Sequence, residues 1–102
     1  MTEIDAGTLV NIQYYGAIRV AARVTGEEHS VGLGVSLYRL LNDIAEIHDK
    51  SFMDEVFVNG DGIRDDVMIT VNGVVVSGAR ATEIDVNAGD VVALFPIFPG
   101  GG

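Results

Sequence analysis

The sequence predicts an α+β fold: a mixed sheet of four to five strands with one main helix packed across it. Three observations carry that expectation. Leu37, Leu40, Leu41, Ile44 and His48 recur at helical spacing and form one stripe behind Ser36. Asn72-Gly73 lies between two valine-rich runs, and both residues tolerate the positive φ of a type I′ hairpin turn. Val91-Val92-Ala93-Leu94-Phe95 is a near-continuous apolar run. Strands of that kind are buried on both faces, which places this one in the middle of the sheet.

Residues 1–8 read as a loose leader. Leu9-Val10-Asn11-Ile12-Gln13-Tyr14-Tyr15 alternates as a strand, with one tyrosine expected in the core and the other outside. Residues 17–24 fit either a strand or a short helix on periodicity alone. Residues 27–33 can form a second strand, with a turn at Gly32-Leu33-Gly34. Ser36 is a good N-cap for the helix that follows, because its hydroxyl can accept an orphan N–H of the first turn. That helix is expected to fade around Asp49-Lys50-Ser51. Residues 51–66 are the least regular part, with Phe52, Val56, Phe57 and Val58 as anchors and Asn59-Gly60-Asp61-Gly62 as turn chemistry. Val67-Met68-Ile69-Thr70-Val71 and Val74-Val75-Val76 flank the hairpin turn. Thr82-Glu83-Ile84-Asp85-Val86 reads as a further extended segment before the turn at Asn87-Ala88-Gly89-Asp90. The last strand is expected to pair parallel with the first. The organisation is then a leader over 1–8, one domain over 9–95 and an extended arm over 96–102.

Composition narrows the function classes. A chain of 102 residues is one domain, long enough to bury roughly 60–70% of its unfolded surface without staples. Fifteen acidic against six basic residues leave a formal net charge of −9, which opposes nucleic acid and anionic membrane and favours a basic patch on another protein. Met1-Thr2-Glu3-Ile4-Asp5 lacks a signal peptide's basic start, and no run approaches the ~20 apolar residues of a membrane span. A cytoplasmic location is expected. There is no cysteine, so thiolate metal sites, disulfides and cysteine nucleophiles are excluded.

The sequence ends Phe95-Pro96-Ile97-Phe98-Pro99-Gly100-Gly101-Gly102. Glycine passes through channels too narrow for a Cβ, and the two prolines stiffen the segment. From Phe95 the arm can reach at most roughly 25 Å, enough to carry a carboxylate into another protein's active site. A carboxylate is a poor electrophile, but an acyl-adenylate has a good leaving group, and a sulfur nucleophile can convert it to a thiocarboxylate. The alternative is an inert, frayed tail.

Val71-Asn72-Gly73, the acid-rich return, and Ala88-Gly89-Asp90-Val91-Val92-Ala93-Leu94-Phe95-Pro96 with its Gly-Gly end resemble the ubiquitin-like sulfur carriers. The likeness is greatest to the molybdopterin synthase small subunit, within the superfamily that includes the thiamine sulfur carriers. Tyr14-Tyr15-Gly16-Ala17-Ile18-Arg19 is similar to that family's segment after the first strand, which makes residues 17–24 a helical turn and 28–33 the second strand. The resemblance runs from Leu9 onward, its specific part being the C-terminal third. Ile97-Phe98-Pro99, the third glycine and the long 51–66 segment depart from the family pattern. The resemblance implies a β-grasp (ubiquitin-like) fold. It implies ATP-dependent adenylation of the terminal glycine by a ubiquitin-activating-type adenylyltransferase, then thiocarboxylation and sulfur donation to a pterin precursor in a large synthase subunit. Gly102 would bear the sulfur, with Gly101 as its paired glycine. Phe95, Pro96, Ile97, Phe98, Pro99 and Gly100 would contact partners. No cofactor would be bound by this chain itself, ATP being used by the activating partner. The chain would be a co-substrate, non-catalytic alone. Sulfur delivery to thiazole, cysteine or a tungsten-type cofactor, conjugation to lysines as a protein modifier, and an adaptor with an inert tail stay open as rivals.

The remaining candidates are weaker. His29 and His48 have no ligand spacing between them and read as surface or helix-end residues. Asn59, Asp61, Asp65 and Asp66 lack the full calcium-loop pattern. Gly32-Leu33-Gly34 lacks what a phosphate loop needs. Asp85 and Asp90 read as turn residues, and no Ser, His and Asp are placed as a triad.

Overall fold

The computed structural model describes residues 8–58 and 62–97. Alternation at Val10, Ile12 and Tyr14 builds β1 (Leu9–Tyr14), with those three side chains fully inward. β7 (Val91–Pro96) pairs with β1 in parallel, placing Ile12 opposite Val92 and Tyr14 opposite Leu94. β4 (Val67–Val71) pairs antiparallel on the far side of β7. β2 (Gly26–Ser30) and β5 (Val74–Val76) are the edges, giving the order β2-β1-β7-β4-β5. The last strand is therefore central and parallel to the first, as its apolar run predicts. It extends one residue past Phe95, because Pro96 still pairs with Val67. Proline is tolerated at a strand end, where the missing N–H leaves little of the ladder undone.

Between β1 and β2 the ambiguous stretch is helical. α1 (Gly16–Ala22) ends on Arg23 in the left-handed conformation, whose N–H bonds the Arg19 carbonyl. The second strand stops at Ser30 and not at Leu33, which lies at the tip of a fully exposed turn. α2 (Leu37–Ile47) starts as expected: the Ser36 hydroxyl accepts the Arg39 N–H at 3.1 Å. Leu37, Leu40, Leu41, Ile44 and Ala45 are its buried face. They share one core with Val10, Ile12, Tyr14, Ile69, Val92 and Leu94 from the sheet.

Two further expectations need correction. The chain does not become irregular after Asp49. It starts a new helix, α3 (Lys50–Val56), with Asp49 as N-cap accepting the Ser51 and Phe52 N–H groups. Phe52 and Val56, one turn apart, are fully buried, and Phe57 nearly so, whereas Val58 is exposed. Nor is 82–86 one extended segment. Gly78–Glu83 is a 3-10 helix. Only β6 (Asp85–Val86) is extended, and it pairs with β3 (Val35–Ser36) in a separate two-stranded sheet. Two crossing layers remain, one sheet with α2 across it, which is the β-grasp arrangement. Among the described residues no helix is long and apolar enough to cross a membrane.

Candidate functional site

The site the sequence nominates is the arm and its root. Phe95, Pro96 and Ile97 are described. Phe98, Pro99, Gly100, Gly101 and Gly102 lie outside the described residues. The root is where parallel β1 and β7 end together, so the segment after β1 lies beside the segment that leads into the arm.

Four contacts hold that root. The Tyr15 N–H donates to the Leu94 carbonyl at 3.1 Å, extending the parallel ladder by one step. The Tyr15 ring stacks on Phe95, with centroids 4.4 Å apart and planes 10° from parallel. Gly16, at φ +58, lies under Pro96, and a Cβ there would come 2.5 Å from the proline Cγ. On the opposite side the Ile97 N–H donates to the Asp66 carbonyl at 2.7 Å. Aromatic stacking and a small residue thus seat the outgoing chain from one flank, and a backbone hydrogen bond seats it from the other.

The strand that carries the root is anchored at its start as well. Asn72 and Gly73 have φ of 52 and 82, as a type I′ turn requires. The Asn72 amide then reaches across to the beginning of β7. Its Nδ2 donates to Asp90 Oδ1 at 3.0 Å, and its Oδ1 accepts the Val91 N–H at 2.9 Å. Asp90 Oδ2 in turn accepts the Asn87 N–H at 2.8 Å. Asp90 therefore serves as a turn residue, the reading its sequence context suggests.

The sheet face away from α2 presents Asn11 and Gln13 of β1, Met68 and Thr70 of β4, Val75 of β5 and Phe95 of β7. Register places them on one side, since Val10, Ile12, Val92, Leu94 and Ile69 point to the core. Tyr15 and Val75 are exposed, and Phe95 is half-buried. Among the described residues Asn11 Oδ1 is shielded from solvent and meets no hydrogen-bond partner.

One constellation went unread in the sequence. Glu27 and His29 alternate on β2 and point to the same side, and His48 caps the C-terminus of α2. Glu27 gathers all of them. Its Oε1 is 2.8 Å from His29 Nε2, its Oε2 is 2.5 Å from His48 Nε2, and its Oε2 accepts the Tyr14 hydroxyl at 2.7 Å. Burial works to raise the Glu27 carboxyl, but the bonds from Tyr14, His48 and His29 outweigh it and hold the group below its ordinary range. Burial, together with the bond to and charge of Glu27, pushes the Tyr14 phenol well above its ordinary range. The Glu27-x-His29 spacing was a visible cue, whereas His48 lies 21 residues away. Both imidazole Nε2 atoms are engaged with one carboxylate. Among the described residues no group of three or more His, Cys, Asp or Glu side chains is disposed to hold a metal ion.

A family model described as the ThiS family matches residues 12–101. Among solved structures, a protein described as molybdopterin converting factor, subunit 1, from Pyrococcus furiosus is 33% identical, with 89% of this chain and 99% of that one covered and a TM-score of 0.69. Small archaeal modifier protein 1 of Haloferax volcanii is 18% identical over 90% of this chain and all of its own, with a TM-score of 0.77. The BexX/CysO complex of Amycolatopsis orientalis contains a chain 20% identical to this one, covering 90% of this chain and 99% of its own, with a TM-score of 0.64. No curated protein matches the chain at a significant level.

Proposed function

This chain belongs to the ThiS family, within the ubiquitin-like sulfur carriers and modifiers, and from that premise we propose that it is a sulfur carrier acting as the small subunit of a molybdopterin synthase. The observation that carries the pathway is the 33% identity, over nearly the full length of both chains, to a molybdopterin converting factor subunit. On this reading Gly102 is the reactive residue and Gly101 its slender neighbour. A Gly102 carboxylate oxygen attacks the α-phosphorus of ATP, held by a ubiquitin-activating-type adenylyltransferase, and pyrophosphate leaves. Hydrosulfide-level sulfur then attacks the acyl carbon. AMP departs with the electron pair of the broken C–O bond, and a thiocarboxylate remains. In the acceptor step the thiocarboxylate sulfur attacks a carbon of the pterin precursor bound to the large subunit. As the new C–S bond forms, that carbon's bond to an oxygen leaving group breaks, the oxygen departing with the electron pair. Water then cleaves the acyl–sulfur bond, which leaves sulfur on the precursor and restores the carboxylate.

The parts of this chain have separable roles in that cycle. The root at Tyr15, Gly16 and Asp66 aims the arm. Phe95, Pro96, Ile97, Phe98, Pro99 and Gly100 line the route into a partner's site, and the outer sheet face docks the partner body. Aromatic and aliphatic anchors at the centre of such a face supply most of the affinity. The cysteine-free composition leaves the terminal carboxylate as the place to hold sulfur. ATP belongs to the partner, so the chain needs no cofactor of its own, and the chemistry belongs in the cytoplasm.

Intact mass spectrometry tests the reading. The chain is incubated with an activating enzyme, ATP and a sulfide source. Replacement of one oxygen by sulfur at Gly102, followed by its loss to a pterin acceptor with a large synthase subunit, is the expected result. Sulfur gained but delivered only to a thiazole or cysteine acceptor would move the chain to another carrier pathway. Isopeptide adducts on lysines would make it a modifier, and an unchanged mass with every activating enzyme would sink both.

A further inference from the structure

The segment between α3 and β4 contains an arginine, Arg64, that the carrier reading has so far left without a role. Arg64 sends its whole guanidinium to two places. Its Nε and Nη2 meet the two Asp66 carboxylate oxygens at 2.9 and 2.8 Å, a bidentate fork. Its Nη1 donates to the Asp54 carbonyl at 2.9 Å, and its own N–H donates to the Val56 carbonyl at 2.8 Å. Both carbonyls belong to the last turn of α3, where no intrahelical donor reaches them. The Arg64 carbonyl accepts the Val67 N–H at 3.2 Å and closes the turn around Asp65 and Asp66. The fork lowers the Asp66 carboxyl below its ordinary range, its hydrogen bond from Arg64 being the main cause.

The same Asp66 offers its carbonyl to Ile97, the last described residue before the rest of the arm. Arg64 thus links the end of a packed helix to the point where the arm leaves the sheet. A solvent-exposed ion pair contributes little to stability, yet the planar guanidinium sets a direction as well as an attraction. The opposite flank of the root is already seated by Tyr15 and Gly16, so the Asp66 carbonyl supplies the second side.

We propose that Arg64 and Asp66 are positioning residues for the acyl transfer at the arm's end: the Arg64–Asp66 fork, anchored on the last turn of α3, holds the Asp66 carbonyl where it captures the Ile97 N–H and so sets the direction in which the arm leaves the sheet. This rests on the carrier reading for its reaction and on geometry alone for its brace. They act through Ile97, by fixing the point and direction at which the chain departs from β7.

The experiment has two readouts. Amide hydrogen exchange by NMR is compared between the wild type, Arg64→Ala and Arg64→Lys. The Ile97 amide is expected to exchange about tenfold faster in both variants, the loss of one modest hydrogen bond, while the Val92 and Leu94 amides keep their protection. Lysine fails because a point charge cannot make the fork. Pyrophosphate exchange is then measured with an activating enzyme that adenylates the wild-type chain. The turnover number is expected to fall about tenfold, well within what a roughly 1 Å misplacement costs, with KM for the carrier unchanged. Unchanged Ile97 exchange in Arg64→Ala would overturn the brace. Faster Ile97 exchange with an unchanged turnover number, or a change in KM alone, would overturn the positioning role. If no activating enzyme adenylates the wild type, the carrier reading falls and takes the positioning role with it, while the exchange data still decide the brace.

Discussion

Asn72 shows how far one residue can be read in advance. Beside Gly73 it announces a type I′ turn, because few residues accept φ of 52 without strain. The pattern does not announce what the side chain does once the turn has formed. Its two bonds run to Asp90 and Val91, 18 and 19 residues away. They join the hairpin of β4 and β5 to the first residue of the strand that carries the arm. The two motifs that make the sequence recognisable are thus one structural joint, and the pairing is invisible to any reading that proceeds along the chain. Asn72→Gly separates the two contributions, since glycine keeps the turn and deletes both side-chain bonds. Urea unfolding is expected to show a loss of about 1 kcal/mol, the low end for two hydrogen bonds because both are solvent-exposed. A neutral substitution would mean that the turn alone matters and the joint carries nothing.

At the scale of elements, α2 was legible because its stripe is long enough to show a period, and Ser36 marks its start. α3 was not legible. It has seven residues and only two fully buried positions, Phe52 and Val56, too few to establish periodicity. Its one clear cue was Asp49 as N-cap, which read instead as the end of the preceding helix. The 3-10 helix at Gly78–Glu83 was missed for a related reason: Ala81 is its single buried residue. The tie between β2 and the end of α2 is a further element-level feature, and it depends on pH. Glu27 is held below its ordinary value of 4.5 by its bonds to Tyr14, His48 and His29, against the opposing effect of burial. A carboxyl lowered on folding contributes stability that is fully present above its unfolded value and disappears as pH falls through its folded one. Melting curves of the wild type and Glu27→Gln should therefore differ most above about pH 5, draw together as pH falls below the ordinary carboxyl value, and meet only below the lowered folded value, where the acid is neutral like the amide. Curves that stay parallel down to strong acid would show that the charge of Glu27 contributes nothing to the tie.

For the molecule as a whole, the central placement of β7 was the most legible fact and the one with the largest consequence. An apolar run after a hairpin implies a buried middle strand, and a buried middle strand gives whatever follows it a rigid base. What the run could not show is that the base has two flanks, since Tyr15 and Gly16 on one side and Asp66 on the other come from distant parts of the chain. The distribution of charge completes the division of labour. The face around Phe95 is uncharged at its centre, with Asn11, Gln13, Met68, Thr70 and Val75, while the chain as a whole carries −9. Apolar contact at such a centre governs how long a partner stays, and the surrounding field governs how fast it arrives. Raising salt from about 0.01 M to about 0.1 M shortens the Debye length from about 30 Å to about 10 Å, which removes most of the long-range field. On the proposed carrier function, stopped-flow association with an activating adenylyltransferase is therefore expected to slow by about tenfold over that range, while the dissociation rate changes little. Replacing Phe95 by alanine should do the reverse, speeding dissociation and leaving the salt dependence of association intact. If salt acted mainly on dissociation, the acidic residues would be contacts within the interface and not a field around it, and docking through the uncharged sheet face would be the wrong geometry.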